Sequence, residues 1–150
     1  MFSPSCTGFL DGEAEPLNSS NSSNSSNTNG KKKLVDVKVT SYNPEAGQTD
    51  STPCIAGGTG FNLCEMAAAG QRTIAVSQDL AGWSSYAQDY ALDAGEKIWL
   101  ESIDFPDDPR CNGEFIVSDA MNARYTNRAD LFFLDRADNT SCTATIYTYQ

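Results

Sequence analysis

Apolar and polar residues alternate through VDVKVTSY (35–42). Val35, Val37, Val39 and Ser41 fall on one face of an extended chain, and Asp36, Lys38, Thr40 and Tyr42 on the other. Five more runs have strand character: RTIAVS (72–77), EKIWLES (96–102), GEFIVSD (113–119), DLFFL (130–134) and TATIYTY (143–149). Six short strands joined by long loops predict a mainly β domain, a small closed or nearly closed barrel. One helix is predicted over Leu80 to Ala94, with Gly95 ending it as a C-cap.

Residues 18–29 read NSSNSSNSSNTN and contain no apolar side chain. Such a segment buries too little surface to offset its ordering entropy, so residues 1–33 are expected to be a disordered Asn/Ser-rich tail and linker. Lys31, Lys32 and Lys33 read as its solvated edge. The domain is then 34–150, and its last strand ends with the chain, as expected of a whole domain. No stretch is apolar enough to span a bilayer. The opening MFSPSCTGFLDGE lacks the basic start and apolar run of a secretory signal. Cys6 ahead of a polar tether makes the tail a candidate membrane anchor through lipidation, although an incidental cysteine is the plainer reading.

The formal charge is −10. Residues 34–150 carry 7 Lys/Arg and 17 Asp/Glu, so the acidity belongs to the domain. That argues against nucleic acid or anionic lipid as a partner. There is no histidine, which excludes Ser-His-Asp and Cys-His nucleophile systems and any His-containing zinc site. Acid–base chemistry is left to carboxylates, Tyr, Lys or Cys. Cys54, Cys64, Cys111 and Cys142 are four cysteines in the domain without a CxxC spacing. Two disulfides are expected in an oxidising, extracytoplasmic setting, with no metal and no cofactor. Cys54–Cys64 is the favoured pair because it would staple the Gly-rich loop PCIAGGTGFNLC. Cys111 and Cys142 each precede a strand, so they are expected to tie neighbouring strands. Four buried thiols in a cytosolic protein is the alternative.

The chemistry concentrates in GEFIVSDAMNARYTNRADLFFL (113–134). Asp119 ends one apolar strand and Asp130 begins the next, eleven positions on. Strand ends at one loop can bring two carboxylates together at a barrel mouth. Mutual repulsion, with partial burial by Phe115, Phe132 and Phe133, would then raise the pKa of one of them. A carboxyl protonated at neutral pH is what glycosidic cleavage requires. The ordinary reading is that aspartates are common at strand ends and that Asp119 caps the following turn.

This segment resembles a family. Asp119, then Asn127-Arg128-Ala129-Asp130-Leu131-Phe132-Phe133, is similar to the aspartate motif of the three-aspartate (3D) domain of bacterial cell-wall proteins, and Ala123 also falls in place. VKVTSYNP (37–44) is similar to that family's Thr-x-Tyr strand, RTIAVS to its Thr-Ile-Ala-Val strand, and GEKIWL (95–100) to its Gly-Thr-Lys-Val strand. The likeness spans about the whole domain. It implies a six-stranded double-psi β-barrel, the fold of membrane-bound lytic transglycosylase A, expansins and family-45 endoglucanases. It further implies action on peptidoglycan or another polysaccharide. Carried over by position, Asp130 is the catalytic residue and Asp119 its partner, and Thr40 and Tyr42 line the groove. Ser77, Asp79 and Arg128 join them as substrate-binding candidates. Ser77 stands where the family has its first aspartate, and Asp79 is the nearest acid. Met121-Asn122 replaces a Gly-Gly, and Ala81–Ala94 is an insert. Its Trp83, Tyr86 and Tyr90 are expected to pack the insert onto the barrel rather than to stack on sugar.

The activity so implied is lytic cleavage between N-acetylmuramic acid and N-acetylglucosamine by a monomeric, secreted enzyme. Hydrolysis is the near rival, an expansin-like wall-binding or loosening module the second class, and a disulfide-stabilised domain without a glycan role the third.

Overall fold

Six β-strands and one short α-helix make up the regular structure of the computed structural model, which describes residues 30–44 and 54–149. Apart from its last residues, the expected tail with Cys6 lies outside these. The strands are β1 (Lys31–Tyr42), β2 (Thr73–Val76), β3 (Lys97–Ser102), β4 (Gly113–Ala120), β5 (Arg128–Phe132) and β6 (Cys142–Tyr149), and the helix is α1 (Leu63–Ala68). All six expected strands form. β1 starts earlier than the pattern suggested, so the three lysines lie in a strand and not in a linker. One unit, Lys33–Tyr149, holds nearly all of this structure.

The strands close into a barrel in the order β1-β5-β2-β4-β3-β6. β1 runs parallel to β5 and β2 parallel to β4; β2–β5, β3–β4 and β3–β6 are antiparallel. Val37 and Val39 of β1 point into the core, as the alternation requires, with Ile74, Val76, Ile98, Leu100, Phe115, Val117, Leu131 and Ile146. β2, paired with β4 and β5, is buried at every position, so its outer face is covered as well as its inner one.

Two disulfides fix the loops. Cys54–Cys64 closes the Gly-rich segment and Cys111–Cys142 joins the approach to β4 to the start of β6. β4 and β6 are not neighbours as expected; they flank β3 on either side.

The helix expected over 80–94 is absent. Its segment is a loop pinched shut at its base, where Ala81 bridges Leu92 in parallel. Leu92 N–H donates to the Leu80 carbonyl and Gly82 N–H to the Leu92 carbonyl, both at 2.7 Å. A helix would hold positions 80 and 92 about 18 Å apart. Leu80, Ala81 and Leu92 all bury in the barrel core, and that anchoring outweighs a helical pattern weakened by Gly82, Ser84 and Ser85. Gly95 has the left-handed φ of +85°, but it serves the turn into β3.

Instead, the helix forms at 63–68, capped by the Asn62 side chain accepting from Glu65 N–H at 3.1 Å. Its Leu63 packs with Ala56 and Phe132 in a second small core that also takes in Tyr42.

Candidate active site

The barrel's register assembles the site. On β2, Ala75 is the cross-strand partner of Asp119 on β4 and of Asp130 on β5, and Asp130 is in turn the partner of Thr40 on β1. Thr40, Asp130, Ala75 and Asp119 therefore form one row across four strands. The two aspartates are two strand spacings apart, about 10 Å between Cα atoms.

A β-bulge makes this row possible. Between Ile74 and Ala75 the register with β4 slips by one, leaving Ser118 as the extra residue. Ser118 is buried and its hydroxyl donates to the Ile74 carbonyl at 3.3 Å. Without the slip, Ser118 would stand opposite Ala75. With it, the chain bends and Asp119 takes that place.

The carboxylates are held differently. Asp119 Oδ1 accepts from its neighbour's Ala120 N–H at 2.9 Å and from Gly58 N–H at 3.1 Å. Gly58 belongs to the loop stapled by Cys54–Cys64. A Cβ there would meet Trp83 Nε1 at 3.0 Å and Asp119 Oδ1 at 3.1 Å, so a larger residue would press on both groups where glycine lets the backbone approach freely. Asp130 Oδ1 accepts from the Thr40 hydroxyl at 2.9 Å.

Burial pushes the Asp130 carboxyl above its ordinary value, against the Thr40 hydrogen bond and the positive Arg128, which both pull it down. The expected repulsion from Asp119 is not among the causes, so the upward shift comes from desolvation and not from a like charge. Nor do all three expected phenylalanines surround Asp130. Phe132 lies two positions on in β5, meeting Tyr42 edge to face at 5.3 Å, whereas Phe115 sits under the Arg72 guanidinium.

Tyr42 connects the pair. Burial first, then the charges of Asp119 and Asp130, push its phenol above the ordinary value. It stays protonated and faces both carboxylates.

Ser77 and Asp79 stand behind the row. Ser77 is fully buried, and its hydroxyl accepts from Arg128 N–H at 3.0 Å. Asp79 Oδ2 accepts from Asn127 N–H at 3.2 Å. Asn127 has a left-handed φ of 50°, a conformation Asn tolerates better than most residues. Both candidates thus bind the backbone that leads into Asp130, while Asp79 Oδ1 is buried without a hydrogen-bond partner. The Arg128 guanidinium lies over the Tyr125 ring, 5.0 Å from its centroid, and near enough to Asp130 to affect its proton.

Beside Asp119 opens a groove of about 460 Å³ lined by Gly57, Gly58, Gln78, Trp83, Ser84, Ser85, Asp119 and Ala120. The three aromatics of the 81–92 loop do not pack it down as expected: Trp83, Tyr86 and Tyr90 are 36%, 63% and 45% exposed. Sequence reasoning missed Gly58 as a part of the site and favoured a packing role for Trp83. The signal was there in two adjacent glycines inside a stapled loop, which mark a close backbone approach.

Among the described residues no group of three His, Cys, Asp or Glu is placed to hold a metal ion, and no helix is long and apolar enough to cross a membrane. No family model, curated protein or solved structure matches the chain.

Proposed function

We propose that this chain is an extracytoplasmic enzyme that cleaves cell-wall glycan, a lytic transglycosylase acting on peptidoglycan between N-acetylmuramic acid and N-acetylglucosamine. The observation that carries this reading is Asp130: a partly buried carboxyl of raised pKa, hydrogen-bonded to Thr40, in one row with Asp119, which borders an open groove. The resemblance of 119–134 to the three-aspartate motif adds to it. The closed barrel with two parallel pairs supports the finer reading of a double-psi barrel, and the two disulfides support a location outside the cytoplasm.

Protonated Asp130 donates to the glycosidic oxygen as the bond to C1 breaks. The carboxylate left behind then takes the proton of the C6 hydroxyl, whose oxygen closes onto C1 and leaves a 1,6-anhydro end. One group serves both steps, acid first and base second. Tyr42 donates to a carboxylate or to the sugar. Asp119, kept in place by two backbone N–H groups, supplies a fixed negative charge for the oxocarbenium-like transition state.

Incubation with purified peptidoglycan and mass spectrometry of the products tests this. Anhydro-muropeptides are expected. Reducing ends alone would make the enzyme a hydrolase, and the spacing of two strands then favours the inverting geometry, whose carboxyls stand about 6.5–9.5 Å apart, over the retaining one at about 5–5.5 Å. The exposed Trp83 and Tyr86 favour a second reading, a module that binds or loosens glycan without cutting it; binding without any product would establish it.

A further inference from the structure

The groove beside Asp119 is built by two loops outside the six strands. One wall is the backbone of Gly57 and Gly58, held by Cys54–Cys64 and by Thr59, whose hydroxyl donates to the Ser118 carbonyl. The other is the 81–92 loop, pinned at its base by the paired strands of Leu80 and Leu92. Trp83 stands between them with 36% of its surface open. Gln78 is fixed at both ends: its amide N–H donates to the Met121 carbonyl at 3.2 Å and its oxygen accepts from the Ser84 hydroxyl at 3.0 Å. The groove is thus firm on all sides, and its volume falls within the range of small-ligand sites, about 300–1,000 Å³.

Its chemistry is specific. Trp83 supplies an aromatic side chain, Gln78, Ser84 and Ser85 supply polar groups, and Asp119 is the single charged residue of the lining. The seven basic residues of 34–150 are all absent from the lining. A pyranose ring presents an apolar C–H face to stack on an indole and equatorial hydroxyls to bond the rim. A sugar bearing a carboxylate would meet Asp119 and find no cation.

We propose that this groove is a binding subsite for one uncharged pyranose ring of the glycan, stacked on Trp83 next to Asp119. The proposal rests on the reading of the chain as a glycan-acting protein. The insert that carries Trp83 thereby adds a specificity element to the barrel.

The test uses the full chain carrying Trp99→Phe, so that Trp83 is its only indole. Titration with a tetramer of N-acetylglucosamine is expected to change the Trp83 fluorescence saturably. By calorimetry, Trp83→Ala should bind the tetramer about tenfold more weakly or worse, the loss expected for an aromatic anchor, and Trp83→Phe should retain most of the affinity. A tetramer of galacturonic acid should also bind about tenfold more weakly or worse. A silent Trp83, an unchanged affinity in Trp83→Ala, or equal binding of the acidic tetramer overturns the proposal. Its fate is separable from that of the cleavage reading. A Trp83 response in a protein that releases no muropeptide leaves the subsite standing and removes the enzyme; product release with a silent Trp83 does the reverse.

Discussion

Asp119 and Asp130 are related by the same neighbour, Ala75, yet their surroundings differ in every respect that governs a carboxyl group. Asp119 lies at the end of β4, is held by two main-chain N–H groups and borders open space. Asp130 lies inside β5, is held by one side-chain hydroxyl, and is partly buried. Backbone amides favour the charged form of a carboxyl, and desolvation favours the neutral one. On the proposed reading these surroundings separate two tasks of glycoside cleavage, a proton source at Asp130 and a negative charge at Asp119.

The largest effect that would break this division is on activity. Asp130→Asn should lower muropeptide release by about 10²–10⁴-fold, the usual contribution of a general acid, while Asp119→Asn, which keeps the shape and the two accepted hydrogen bonds, should lower it less. Product quantification by mass spectrometry measures both. Equal losses, or a larger one at Asp119, would reverse the assignment.

The two disulfides give the next test. In the chain-entropy view, opening Cys111–Cys142, with 31 positions between its ends, costs about 3.7 kcal/mol, and opening Cys54–Cys64, with 10, about 2.7 kcal/mol. Stability alone ranks the first bond higher. Activity should rank them the other way, because only Cys54–Cys64 holds Gly58 against Asp119. Double Cys→Ser variants, compared by chemical denaturation and by product release below their melting points, check this. If loss of Cys54–Cys64 leaves release unchanged, the stapled loop is not part of the site.

A smaller effect sharpens the electrostatic part. Thr40 lowers the Asp130 pKa that burial raises. Thr40→Val removes only the lowering influence, so Asp130 should keep its proton to higher pH and the alkaline limb of the rate profile should move upward. A downward shift would mean that the valine admits water to the carboxyl.

How far the pattern of the chain led to this site can be traced through individual residues. Strict alternation in 35–42 disclosed β1 and put Thr40 and Tyr42 on one face, because a two-residue period leaves a strand few choices. The two aspartates were visible as the ends of apolar runs. What no local pattern shows is register: the bulge at Ser118 depends on pairing between β2 and β4, 40 positions apart. The 81–92 loop was misread for the same reason, since Leu80 and Leu92 are drawn together by a core that only the closed barrel creates. Nor does any local pattern show that Ser77 and Asp79 accept from the backbone N–H groups of Arg128 and Asn127, 51 and 48 positions away.

The smallest expected effect concerns stability, and here the two aspartates should differ in sign. Asp130 has a higher pKa in the folded protein than in the unfolded chain. Its contribution to stability is therefore fully present below the ordinary carboxylate range, near pH 4, and is lost as pH rises through the raised value, because the buried site disfavours the ionised form. Asparagine is neutral at any of these pH values and of nearly the same shape. Asp130→Asn should then melt above the unmodified protein at pH 7, and the gain should shrink as pH falls towards about 4, where both side chains are neutral. Asp119→Asn instead gives up the charge-assisted part of two backbone hydrogen bonds and should melt slightly lower at pH 7. Calorimetric melts at the two pH values decide. A pH-independent loss in Asp130→Asn would show that its carboxylate is well solvated in the folded barrel, and the proton source would have to be sought elsewhere in the row.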